Sequence, residues 1–513
     1  MTTPRIVVIG AGAGGLSAAA HLATAGLHVT VLEKNDQPGG RCARIERQGH
    51  TFDVGPTLLV MPGLYQAEFA ALGIDLRAHL DLQRVDPTYH LHFDVGARLD
   101  LTSDLERLRS QLEAFEPGAF GALLRYLEEG GRHYTLATEG LVRRNFRTLA
   151  EFLHPSMLVL FLRLHALHNH YRRLGRSFRS ERLKNAFSFQ DMYMGISPFD
   201  AMATFSMLQY TELAEGVWYP RGGMTRVTDA LHALAVARGA EVRFQAPVRR
   251  IDIDGARAVG VTLEDGSHVP ADAVLANADL PYVYRELLPA DGNARGFERK
   301  AYSCSTISFL WGVDQVVREV SAHTLFLSDD YRGNFDDILR RKAISENPSV
   351  YVHAPARLDP RMAPAGMDTL VAIVPVGHLD PRAGQDWPEI TSRARAAVLR
   401  RLASVGVTDL EAHLRFEIVL DPADWQRRFN LVRGATHGLA HTLLQMGWFR
   451  PANRHPRHHN LYFAGASTHP GTGLPTAIVS GRLAAERALE DLRRPRQVNP
   501  ELPLPLGGRG FPL

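Results

Sequence analysis

The chain has 513 residues, 45% of them hydrophobic and 22% charged, with a formal net charge of +3 at pH 7. That is an ordinary globular balance on a length too great for one core, so two or three domains are expected, and so small a charge gives no footprint for nucleic acid. Two cysteines, Cys42 and Cys304, exclude a disulfide framework or a spaced Cys/His zinc pattern, and no apolar run approaches the ~20 residues that cross a bilayer.

That cysteine usage makes the reducing cytoplasm the expected compartment, and the N-terminal MTTPRIVVIG, too short for a signal h-region, reads as a buried strand over Arg5–Ile9. Gly10-Ala11-Gly12-Ala13-Gly14-Gly15 follows at once, and Leu16–Ala25 has helical composition with Gly26 as its C-cap. His28–Leu32 is a second strand with Glu33 at its end. This is GxGxxG in the context that gives it meaning: strand before, helix after, acid at the end of the next strand. Gly10 permits the tight turn, Gly12 lets the backbone approach a pyrophosphate, and Gly15 lets the helix pack on the strand. The helix N-terminus offers unpaired N–H groups to phosphates, and Glu33 would accept ribose hydroxyls, which favours FAD or NAD over NADP.

Directly after the acid comes Lys34, then Gly39-Gly40-Arg41, and further on Phe52-Asp53-Val54-Gly55-Pro56-Thr57. The glycine pair and arginine resemble the GG doublet of FAD enzymes related to the amine oxidases, and that resemblance implies FAD. Phe152–Arg182 is different in kind. Met157–Leu162 is strongly apolar, and Arg163, Arg172, Arg173, Arg176, Arg179 and Arg182 follow. Such a segment can enter one leaflet while its arginines hold anionic headgroups. A helix over Thr225–Arg238 leads to short strands at Glu241–Phe244, Val248–Ile253, Ala258–Leu263 and His268–Pro270, with Asp254-Gly255 and Asp265-Gly266 as turns. Ala273–Ala276 then returns as a strand to Asn277-Ala278-Asp279.

Two histidine groups, His165/His168/His170 and His455/His458/His459, lack metal-site spacing and are expected on solvated basic faces, so no metal is expected. His437 and His441, four apart, are expected to serve packing or a hydrogen bond, with a role near the substrate as the alternative. Of the four lysines, Lys34, Lys184, Lys300 and Lys342, few could serve lysine chemistry.

Ala186–Ala201, Glu215–Met224, Thr436–Pro451 and Asn460–Pro475, together with FDVGPT at 52–57, resemble the bacterial carotenoid desaturases. These are of the phytoene desaturase type, including hydroxycarotenoid 3,4-desaturases and diapophytoene desaturases. Ala466-Ser467 and Thr472 depart from the usual glycine or alanine. The resemblance implies an α/β protein: a discontinuous Rossmann-type FAD domain over 1–85, 215–290 and 440–495 with an inserted β-meander. A second, α+β substrate-binding domain would span 86–214 and 291–439, and a Pro/Gly-rich tail 496–513. It further implies that Gly465, Gly473, Pro475 and Thr476 close over the flavin ahead of a helix beginning near Ala477. With Gly14, Val248 and Asn277 they complete the implied FAD contacts.

The implied activity is FAD-dependent removal of a hydride and a proton from a long apolar carotenoid, with oxygen or a quinone taking the electrons, on a cytoplasmic protein bound peripherally to a membrane. No residue pattern names a catalytic group. A redox-neutral carotene cis–trans isomerase is the alternative, with a flavin amine oxidase or a non-catalytic isoprenoid carrier further off.

Overall fold

The structure, a computed structural model, describes residues 3–93 and 96–493; the tail at 496–513 lies outside the described residues. A five-stranded parallel sheet runs in the order Leu461–Phe463, Ala273–Ala276, Arg5–Ile9, His28–Leu32, Glu241–Arg243. Its central strand pairs Ile6 with Ala273 on one side and Arg5 with His28 on the other. Ala273–Ala276 is buried throughout, as a strand covered on both faces must be. The first helix, Ala13–Thr24, is almost entirely small residues, and Ala18, Ala19 and Ala20 have no exposed surface. That lets its neighbours come close. A Cβ at Gly481 of the C-terminal helix Leu474–Arg493 would lie 2.1 Å from the Gly14 carbonyl oxygen, and Ser17 Oγ donates to the Ile478 carbonyl at 2.8 Å. The first and last helices are thereby locked together.

The expected meander is present as an antiparallel three-stranded sheet, Val248–Asp254, Arg257–Leu263 and His268–Pro270. Its turns carry Gly255 (φ +56°) and Gly266 (φ +85°), left-handed positions that a β-branched residue would strain. The first helix begins at Ala13 rather than Leu16, because the glycine turn is compact and Gly12 itself caps the helix in an extended conformation.

A second sheet has seven strands: Leu414–Leu420, Ser305–Val313, Asp368–Val376, Val350–His353, His323–Leu327, Tyr89–Phe93, Arg98–Leu101. It is antiparallel except where His323–Leu327 runs parallel to Tyr89–Phe93. The helix Trp387–Ala403 supplies Ile390, Ala394, Val398 and Leu402 to the core that also holds Phe309 and Trp311. The segment between Leu105 and Glu215 is helical and packs against the Tyr89–Leu101 edge of this sheet. The two sheets therefore draw on stretches that alternate along the chain, and the cleft lies between them.

Candidate functional site

All the sequence-predicted site residues except Gly15 line one cleft, of about 590 Å³. At the end of the Arg5–Ile9 strand the Gly10 N–H donates to the Leu32 carbonyl at 2.7 Å, with Gly10 at φ +95°. The turn closes so tightly that a Cβ at Gly15 would stand 2.1 Å from the Gly10 oxygen, so Gly15 sits behind the loop as the contact between helix and strand. The first-turn N–H groups of the helix have no helical partner and are available to an anion. Asn277 packs under this loop: its side-chain amide would be 2.8 Å from a Cβ at Gly12 and 2.5 Å from one at Gly14.

Glu33 is buried. Its Oε2 accepts the Ala11 N–H at 2.8 Å, while Oε1 accepts the Asn35 backbone and side-chain N–H groups, each at 2.9 Å. A carboxylate offers about four lone-pair sites, so it retains capacity for a ribose hydroxyl. Lys34 also lines the cleft, but its Nζ donates to the Arg427 carbonyl at 2.8 Å and to Asn430 Oδ1 at 2.7 Å. It thus joins the strand end to the end of the helix Pro422–Phe429. Gly40 is left-handed (φ +56°), and Arg41 donates to the Thr436 carbonyl at 2.8 Å. A Cβ at Gly55 would meet the Arg41 carbonyl at 2.1 Å, so the glycine pair and the Gly55-Pro56-Thr57 stretch are mutually fixed. Thr57 Oγ1 is 2.7 Å from the Tyr351 hydroxyl.

The opposite wall is the C-terminal segment. Gly465 (φ +113°) and Gly473 (φ +115°) hold conformations that favour glycine. The last helix starts at Leu474, not near Ala477, because Pro475 suits a first helical turn and Thr476 Oγ1 donates back to the Thr472 carbonyl at 2.6 Å. Two residues that sequence reasoning left without a functional role hold this wall. His441 Nε2 accepts the Thr472 N–H at 3.0 Å, which requires a neutral imidazole, and burial pushes its pKa well down. Arg450, 2% exposed, donates to the carbonyls of Leu439, Ala440, Gln445, Ala466 and Thr468. Burial lowers its pKa to about 9. One guanidinium with five donors in a fixed fork is suited to gathering that many carbonyls. Asp279 lies nearby, accepting Ser467 Oγ at 2.5 Å and the Val432 N–H at 3.2 Å; burial raises its pKa while Ser467 and the Arg41 charge oppose the rise.

Much of the remaining lining is apolar or aromatic, with Tyr89, Phe189, Met207, Leu208, Leu325 and Phe335 among its members, alongside polar Thr306, Ser308, Asn334 and Ser349. Chemically the cleft offers bare backbone and one carboxylate to a dinucleotide, and a long hydrophobic surface to a second ligand. The glycine cradle, which a Cβ would fill, fits FAD.

Of the histidines expected on solvated faces, His168 and His459 are exposed, but the others are a correction. His170 and His455 are each 1% exposed, and His170 Nδ1 lies 2.7 Å from Asp191 Oδ2. His165 sits with Glu129 and His133, and His455 and His458 sit with Asp291, each trio close enough to share an ion. Their carboxylates are already claimed by arginine: Arg173 grips Glu129 through Nε and Nη2 at 2.6 and 2.5 Å, and Arg457 grips Asp291. Both groups are ion-pair clusters.

The apolar segment forms a helix, Pro155–Arg163. Leu160 and Phe161 turn inward and pack with Met207 and Leu208, which line the cleft. Leu153 (67% exposed), Leu158 (63%), Leu162 (61%) and Leu167 (75%) face outward. Phe449, also exposed, adjoins them through Phe152, at 5.8 Å between ring centroids. Among the described residues no helix is long and apolar enough to cross a membrane.

Residues 13–489 match the family model for flavin-containing amine oxidoreductases. A phytoene desaturase of Fusarium fujikuroi is 42% identical over 509 residues, covering 95% of this chain and 89% of the relative. A zeta-carotene-forming phytoene desaturase of Myxococcus xanthus is 42% identical over 487 residues, covering 94% of each. Among solved structures, a putrescine oxidase bound to putrescine matches with a TM-score of 0.63 at 16% identity, covering 96% of this chain and 100% of the other, and shows the shared fold.

Proposed function

The chain belongs to the flavin-containing amine oxidoreductase family, as an FAD-dependent carotenoid desaturase, and we propose that phytoene and its partly dehydrogenated products are what it acts on. The observation that carries the reading is the 42% identity, over nearly the whole chain, to relatives named phytoene desaturase. The apolar lining of the cleft supports it, since Phe189, Met207, Leu208 and Leu325 offer a polyene dispersion contacts and few polar groups that would need pairing. Lys34 is the lysine that lines the cleft among the described residues, and Lys300 and Lys342 lie off it, so the amine-oxidase alternative gains no support.

We assign the dinucleotide to the glycine side. Gly10, Gly12, Gly14 and the helix N-terminus would hold the pyrophosphate, and Glu33 the ribose. Gly40, Arg41, Gly55, Pro56, Thr57 and Asn277 would continue the contact, and Gly465, Gly473, Pro475 and Thr476 would present backbone to the ring. Bound FAD supplies a hydride acceptor. The protein's part is to exclude water, lay one C–C bond of the polyene against the ring, and remove a proton. Oxygen or a quinone is the proposed final electron acceptor.

The outward leucines support a peripheral membrane seat. Exposed leucines followed in the sequence by exposed Arg163, Arg172, Arg176 and Arg179 suit the boundary between acyl chains and anionic headgroups. The inner face of the same helix backs Met207 and Leu208 at the cleft, so a bilayer-dissolved substrate would have a short way in.

Expression in cells that accumulate phytoene tests the reading. Products two or more mass units lighter, in steps of two hydrogens, are expected; an unchanged mass with altered double-bond geometry would instead support the isomerase.

A further inference from the structure

Desaturation leaves a proton to be placed, and the cleft wall that meets the polyene is poor in groups that can take one. Besides His437, Asp279, Glu264, Tyr331 and Tyr351, the lining leads into a buried chain beginning at two tyrosines. Tyr89, on the strand Tyr89–Phe93, and Tyr193, in the turn Phe189–Met194, both line the cleft, and their hydroxyls are hydrogen-bonded to each other. Behind them lies Glu212, 2% exposed and reached from the cleft through these hydroxyls. Tyr193 OH donates to Glu212 Oε1 at 2.8 Å, and Gln190 Nε2 donates to Oε2 at 2.9 Å. Both carboxylate oxygens are thus held by neutral donors. Glu212 sits in a π-helical turn, Thr211–Glu215, a local widening of the helix that recurs where a side chain is aimed for function.

We propose that Glu212, acting through the hydroxyls of Tyr193 and Tyr89, takes the proton that desaturation removes from the carotenoid. The proposal rests on the desaturase reading. One C–H bond breaks with its electron pair leaving as the hydride that FAD accepts. The adjacent C–H gives its proton to the phenolic oxygen of Tyr89, whose own proton passes to Tyr193 as that of Tyr193 passes to Glu212 Oε1, and the remaining C–H electron pair becomes the new π bond. The proton now on Glu212 is consumed when the two electrons reduce the quinone or oxygen, a step that takes up protons. Both phenols keep pKa values well above the ordinary tyrosine range because they are buried, so they pass protons without resting as phenolates.

The surroundings of Glu212 suit this task. Burial raises its pKa to about 7, with the Gln190 and Tyr193 hydrogen bonds opposing. On the far side the chain runs into amides: Gln209 Nε2 donates to Gln190 Oε1 at 3.0 Å, and beyond lie Tyr126, His170 and Asp191. Amides orient the carboxylate but are poor proton carriers, so exchange is directed toward the tyrosines. Tyr89 also faces Tyr351 and His323, whose imidazole is kept neutral by burial. Glu215, on the same turn as Glu212, is raised by burial, with the Tyr134 hydroxyl opposing.

The test combines two variants with a spectroscopic titration, all in the FAD-loaded protein. Single-turnover flavin reduction by phytoene in the wild type should rise with pH and level off above about 7, because the carboxylate form is the acceptor. Glu212→Gln, with wild-type FAD content, should be ~10²–10⁴-fold slower and lose that inflection. Tyr193→Phe removes the hydroxyl that carries the proton to Oε1, so its rate should fall and the inflection vanish as in Glu212→Gln, while its carboxyl, relieved of one donor, should titrate at higher pH. This variant decides the matter if Glu212→Gln does not fold. Without any carotenoid, infrared spectra of the wild type should show a carboxyl band that titrates near pH 7 and is missing in Glu212→Gln. Wild-type rate and inflection in Glu212→Gln, or an inflection that persists in Tyr193→Phe, would overturn the relay. The infrared titration needs no substrate, so failure of the desaturase reading would leave it intact.

Discussion

On the side of the cleft that we assign to the dinucleotide, recognition would be carried by backbone at Gly10, Gly12 and Gly40 and by one carboxylate, Glu33, all within about thirty residues of one another in sequence. On the carotenoid side, Tyr89, Phe189, Met207, Leu325 and Tyr351 arrive from widely separated stretches and contribute side-chain shape. Backbone recognition forces particular residues into particular positions, because a Cβ at Gly15 or Gly55 would collide with a carbonyl at 2.1 Å. An apolar wall tolerates many residues of suitable volume. The same cavity is therefore strict on one side and permissive on the other.

The sharpest way to break that contrast is Gly473→Val, which puts a β-branched residue at φ +115° with its Cβ 2.9 Å from Thr476 Oγ1. Distorting the first turn of the last helix should slow single-turnover flavin reduction by ~10²–10³-fold, as for loss of an oxyanion-type donor, with FAD retained on the far wall. Loss of FAD at an unchanged rate per flavin would merge the two roles. A smaller effect is expected outside the cleft. Leu158→Ser with Leu162→Ser should weaken cosedimentation with anionic liposomes by ~10–100-fold, from roughly 0.7–1.4 kcal/mol for each partly inserted leucine, and leave FAD content unchanged. Release by Leu160→Ser alone would place the inserting face on the other side of the helix. The smallest is Lys34→Met. Losing contacts to Arg427 and Asn430 at a partly exposed site should cost about 1 kcal/mol and lower Tm by roughly one or two degrees, with FAD affinity within about threefold. A tenfold loss of FAD affinity would return Lys34 to the dinucleotide.

What the sequence made legible follows the same division. The Arg5–Leu32 unit, the meander and the glycine positions near the C-terminus could be read because tight turns, hairpins and cofactor contacts leave short local signatures. Glu212 could not: a glutamate in TELAE looks like any solvated helix residue, and its burial depends on Gln190 and Tyr193, some twenty residues away. Arg450 was hidden for a similar reason, since its partners are main-chain carbonyls that carry no residue code. In the Pro155–Arg163 helix, composition marked an apolar element, but which leucines face outward depended on the rotation of the helix, fixed by packing against Met207 and Leu208.

The contact between Gly481 and the Gly14 carbonyl has a consequence for how the protein comes into being. The central strand of the five-stranded sheet, Arg5–Ile9, leaves the ribosome well before its neighbour Ala273–Ala276 and the closing wall at Gly465–Ala477. At ~5–20 residues per second, the interval from the first glycine turn to Gly473 is roughly half a minute to a minute and a half. Through that time the nascent chain carries half a cofactor cradle with its alanine-rich helix uncovered. A chain cut short before residue 465 would lack the closing wall and the Gly481 contact that covers the first helix.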